Sequence, residues 1–152
     1  MYLTVLAIHS WLRWATLVLA VGATLNAARP LSAGETPRRR HWWDSLFMLA
    51  VDLQLLAGLM LYFGLSPFTT QGLTDLGVAV HNPVLRYWTV EHPFAMVAAL
   101  VLVRVGRVLA LNARSAEAAR TRRLVCFAVA TAMMLAATPW PGLPNARPLF
   151  RP

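Results

Sequence analysis

His9, Arg13, Asp52, Arg86, Glu91 and His92 are the residues of this chain whose types and spacing could do chemistry. At 1.5 Å per residue, His9 lies about 12 Å into a first apolar segment and His92 about 14 Å beyond Pro83 on a third, so the two imidazoles share a depth. Two neutral imidazoles at one depth on different helices are what a bis-histidine heme b iron requires, and helix bundles commonly build cofactor sites from facing helices. The surroundings suit that use. Arg13, one turn from His9 on the same face, and Arg86 would neutralise propionates. Glu91, or a backbone carbonyl freed by Pro93, would hold the second imidazole N–H and fix its tautomer. Ala95, Ala98 and Ala99 would leave room for a flat macrocycle.

Other chemistry remains open for the same residues. Intramembrane histidines also hydrogen-bond across helices, which would make the chain a heme-free structural or assembly subunit of a larger membrane complex. His9, His92 and Met96 could instead handle copper at the outer face. Asp52 reaches the depth of Arg13, roughly 20 Å in, so an Arg13–Asp52 pair is expected. Its role is either to fix helix register or to serve a proton or quinol path. Arg104 and Arg107 are expected to snorkel toward headgroups. His41 and His81 have no partner at their depth and read as interfacial or exposed, and the remaining methionines as packing. No HExxH, phosphate-loop or nucleophile–base constellation occurs, so an electron-transfer or accessory subunit is expected before a stand-alone enzyme.

These residues must be positioned by helices in a bilayer. The 152 residues are 58% hydrophobic and 13% charged, with mean hydropathy +0.54, whereas a soluble domain carries about 25% charged residues. Four apolar segments, about 2–25, 42–63, 83–112 and 122–138, approach the roughly 20 residues that a hydrocarbon core needs. The expected fold is therefore all-α, a four-helix transmembrane bundle forming one domain over 1–152. The first segment lacks the basic n-region of a cleavable signal. Arg29, Arg38, Arg39 and Arg40 lie in the first connection. Arg107, Arg114, Arg120, Arg122 and Arg123 flank or fill the third, while the long middle connection holds Arg86 and Asp75. The positive-inside rule then places both termini on the outer, periplasmic side, with Arg147 and Arg151 in the tail weakening the asymmetry. The net charge of +8 is explained by this topology and not by nucleic acid. Cys126 is alone, so no disulfide framework exists. Asn82-Pro83 reads as an N-cap followed by proline at the first helical position, and Pro93 predicts a kink beside His92. Residues 66–81 read as a loop with one short amphipathic turn.

Several segments together resemble a known family. They are His9-Ser10-Trp11-Leu12-Arg13-Trp14, Asp52 to Leu59 with Tyr62-Phe63 and Ser66-Pro67, Arg86 through Glu91-His92-Pro93, Gly106-Arg107, and Pro139-Trp140-Pro141. Along nearly the whole chain they resemble small four-helix bacterial membrane proteins labelled "cytochrome b". More distantly, the layout is similar to b-type cytochrome membrane subunits and copper-resistance D-type proteins. The resemblance implies a multi-pass protein of the bacterial inner membrane. It implies a heme or redox role with His9 and His92 as ligands; the expected function is then one heme b that passes electrons between quinol and other membrane redox subunits. The chain departs from the two-heme pattern in lacking an inner histidine pair.

Overall fold

The structure is a computed structural model that describes residues 1–30 and 37–150. The side chains of Arg38, Arg39, Arg40 and His41, together with Arg151, carry part of the charge reading and lie outside the described residues. Among the described residues every regular element is helical. Helix α1 spans Tyr2–Ala28 and α2 spans Pro37–Met60, continuing through a π-helical turn at Leu61–Leu65. Three short helices follow, α3 at Pro67–Thr74, α4 at Leu76–His81 and α5 at Pro83–Arg86. A second π-turn at Tyr87–Glu91 leads into α6, His92–Leu111, and α7 covers Ala116–Ala136. The continuous stretches Tyr2–Ala28, Trp42–Leu65 and Pro83–Leu111 are long and apolar enough to cross a membrane.

The long helices close a ring in which α1 packs on α2 and α7, and α6 packs on α7 and α2. The core between them is built from Leu17, Ala20, Phe47, Val103, Phe127 and Ala130. Phe47 and Phe127 meet edge-on, their centroids 5.5 Å apart. Small residues set the closest approach. A Cβ placed on Gly106 of α6 would stand 2.5 Å from Cys126 Cβ of α7, so this crossing depends on a missing side chain, as close helix contacts in membranes often do. Gly106→Val should cost about 1–3 kcal/mol by overpacking, seen as a lower melting temperature in detergent. Gly64, where a Cβ would meet open space, is the control whose substitution by alanine should leave that temperature unchanged.

The local signals explain the ends of the elements. Asn82 Oδ1 accepts from the Val84 and Leu85 amides at 3.0 and 3.1 Å, with Pro83 at the first helical position, as the Asn-Pro pair predicts. Segment 66–81, expected as a loop, forms two short helices because Pro67 opens one and the Asp75 carboxylate caps the next through the Val78 amide at 3.0 Å. Pro93 produces a π-turn in place of a plain kink. The carbonyl of Thr89, four residues before Pro93, cannot be bonded by a proline nitrogen, and Tyr62 Oη donates to it at 3.0 Å.

Polar side chains gather at opposite ends of the bundle. At one end Asp44 is wholly buried, with Arg123 Nη1 at 3.2 Å and Arg107 Nη1 at 3.7 Å from its Oδ2. Arg107, expected to snorkel, therefore leans inward toward a carboxylate. At the other end the short helices and the C-terminal tail cover the histidines.

Candidate functional site

His9 sits on α1 and His92 at the first turn of α6, and the fold brings their rings to a centroid separation of 6.5 Å with planes 76° apart. His92 is tightly set. Its Nδ1 lies 2.9 Å from Ala137 O, the carbonyl just past the end of α7. A carbonyl can only accept, so Nδ1 carries the hydrogen and Nε2 keeps its lone pair. Tyr87 Oη donates to the same oxygen at 2.7 Å, and the Tyr87 and Trp88 rings pack against the imidazole at 5.8 and 5.6 Å.

His9 is held less firmly. Its Nε2 lies 3.3 Å from Gln54 Nε2 of α2, which is long for a hydrogen bond. His9 Nδ1 and Gln54 Oε1 are buried with no hydrogen-bond partner among the described residues. The absence of a side chain on Gly58 makes room for this ring, since a Cβ there would stand 3.2 Å from His9 Cε1.

Both imidazoles line one cavity of about 530 Å³ between α1, α2 and α6, closed at the tail end by Trp88, Thr138 and Arg147. That volume is in the range of ligand sites, roughly 300–1,000 Å³. Its wall is mostly apolar, with His9, Arg13, Gln54, His92 and Arg147 among the polar groups. Trp88 Nε1 and Thr89 Oγ1 are also buried without a partner among the described residues. Arg147 stacks on Phe68 and Trp88 at 4.7 and 5.0 Å.

Several expected roles change. Asp52 does not pair with Arg13. Arg104 Nη2 lies 2.7 and 2.5 Å from the two Asp52 oxygens, and Arg13 Nη2 donates to Leu149 O at 2.7 Å. Depth fixed their heights but not their rotation: Asp52 faces α6, and Arg13 faces the returning tail. Arg86 and Glu91 bind each other at 2.6 Å on an exposed surface, because the intervening π-turn brings residues five apart onto one face. Neither borders the cavity, so Arg86 is not placed at a propionate, and Ala137 O takes the imidazole N–H that Glu91 was expected to hold. Ala99 is fully buried in the core, and α6 lines the cavity with Pro93, Phe94, Met96 and Val97 instead of the alanines. His81 is exposed, with Nδ1 on Gly77 O at 2.8 Å. Gln54, Trp88, Arg147 and the Ala137 carbonyl were not singled out by the sequence for this site. Asn, Gln and Trp within a span are visible signals, but a backbone carbonyl is not.

His9 and His92 on one cavity are donors of the kind that would hold a heme iron. Two metal–imidazole bonds of about 2 Å place the ligating nitrogens about 4 Å apart and the ring centroids roughly 6 Å apart, close to the separation found. The Nδ1–H of His92 on a carbonyl is the outer contact that orients a metal-binding histidine. The long Gln54 contact would yield to a bond at His9 Nε2. No group of three or more His, Cys, Asp or Glu among the described residues could hold a metal in an all-side-chain cage, whereas a heme supplies four nitrogens of its own.

No protein-family model matches the chain, and no curated protein or solved structure matches it.

Proposed function

We propose that this chain is a multi-pass subunit of the bacterial inner membrane that binds one heme b between His9 and His92 and passes electrons between quinol and a partner redox protein. The observation that carries the reading is the pair of imidazoles on one cavity, their centroids 6.5 Å apart, with His92 Nδ1 anchored on Ala137 O. A heme bound there supplies reversible one-electron transfer. The chain's own residues do the rest. His9 and His92 donate Nε2, Ala137 O orients the second ring, and apolar walls exclude water. Arg13 and Arg147 offer cationic groups on the cavity wall for carboxylates, replacing the Arg86 of the sequence reading.

Four crossings are part of the proposal. Helix α7 packs along both α1 and α6, so if those two cross the bilayer it must lie alongside them. Arg107, Arg114, Arg120, Arg122 and Arg123 then mark the cytoplasmic end, and both termini lie outside. Met96 borders the same cavity, which favours copper bound by His9, His92 and Met96 as the second reading.

The test is a dithionite-reduced minus oxidised visible spectrum of protein purified in mild detergent after expression with ample heme. A sharp b-type α-band is the expected result. Its absence would sink the heme reading, and copper found at one ion per chain in that sample would establish the second.

A further inference from the structure

The Asp52–Arg104 ion pair is in an unusual place. Asp52 stands about 15 Å along its helix from Trp42, and Arg104 about 10 Å from Leu111, at 1.5 Å per residue, both well inside spans that can cross a membrane. Yet the two side chains are 42% and 47% exposed. They sit on the outward surface of the seam between α2 and α6, not in the cavity or the core. An ionised pair facing hydrocarbon is costly, and charged residues within spans normally turn to a protein or water-filled interior. Arg104 could carry its charge toward headgroups by stretching, but it is held on Asp52, and an aspartate is too short to follow.

The pair lies on a continuous stripe. Asp52, Leu56 and Leu59 on α2 and Val97, Val101 and Arg104 on α6 are spaced by three and four residues, so each set shares a helix face. The four apolar members are all exposed. The seam behind them is the least tightly packed junction in the ring of helices. A cation and an anion side by side make the patch complementary to itself: under a two-fold rotation Arg104 of each copy meets Asp52 of the other. A different protein would have to bring a matched ion pair of its own.

We propose that the α2–α6 face is the interface of a homodimer, in which two Asp52–Arg104 pairs form a reciprocal four-charge cluster shielded from lipid by Leu56, Leu59, Val97 and Val101. Leu59 and Val97 also border the histidine cavity, so one wall of that cavity adjoins the interface.

Cross-linking in native membranes tests this. In a Cys126→Ala background, Val101→Cys is oxidised with copper phenanthroline, with Val129→Cys on the exposed face of α7 as the control. The expected result is a disulfide-linked dimer from Val101→Cys and monomer from Val129→Cys. Asp52→Arg or Arg104→Asp alone gathers like charges across the interface and should cut the linked fraction roughly tenfold or more. Co-expressing Asp52→Arg, whose face carries two cations, with Arg104→Asp, whose face carries two anions, should restore linking between the two different chains, a recovery that misfolded single variants do not predict. The proposal is overturned if Val101→Cys links no better than Val129→Cys. It is equally overturned if Val101→Cys links to a protein of another mass, or if the linked fraction ignores both charge changes.

Discussion

Substituting His92 by alanine is expected to abolish the b-type band completely, and His9→Ala to do the same. Each removes one of the two imidazoles that would hold the iron, and among the described residues no third imidazole lines the cavity, His81 being bonded to Gly77 O on the surface. The neighbouring substitutions should separate ligation from support. Tyr87→Phe removes the other donor to Ala137 O, leaving His92 as the bonded ring, so the band should persist. Gln54→Leu removes the group that competes for His9 Nε2, and heme occupancy should stay the same or rise. Gly58→Leu should lose the band with both histidines in place, because a side chain there drives into the His9 ring. A full band in His92→Ala, at an unshifted wavelength in folded protein, would show that the iron is held elsewhere and would remove the basis of the reading.

What could be read from the sequence followed from rise per residue and local signals. The apolar segments, the Asn82 cap, the disturbance at Pro93 and the shared height of His9 and His92 all follow from one-dimensional spacing. Rotation and chain return do not. Asp52 matched Arg13 in height but turns toward Arg104, and no periodicity distinguishes those partners. The tail reaches back over α1, where Leu149 O accepts from both Arg13 and Trp14 Nε1 at 2.7 and 2.9 Å, and it carries Arg147 to the rings of Phe68 and Trp88. Such a fold-back leaves no trace in hydropathy. Asp44 and Asp52 stand eight residues apart on α2, close to one helical stripe, yet one is fully buried and the other faces outward. A single helical stripe can leave the core when its helix passes from tight packing to a looser seam.

The largest stability effect should come from the far end of the bundle. Asp44→Leu would leave Arg123, whose side chain is 5% exposed, with its buried charge uncompensated by that carboxylate. Breaking a buried pair from one side costs about 3–5 kcal/mol, a large share of the 5–15 kcal/mol that typically holds a protein folded. The variant should accumulate poorly and melt far below the parent in detergent. Arg123→Met alone should do less harm than Asp44→Leu, because Arg107 remains 3.7 Å from the Asp44 carboxylate. The double variant Asp44→Leu with Arg123→Met should regain most of the lost stability, since removing both charges together ends the desolvation cost that either leaves behind. Thermal unfolding of the four proteins supplies the cycle. An unchanged midpoint in Asp44→Leu would mean that Arg123 finds other compensation. The expected loss would instead make Asp44 the residue that lets an arginine-bearing segment pack inside the bundle, tying the charge asymmetry that orients the chain to the packing that folds it.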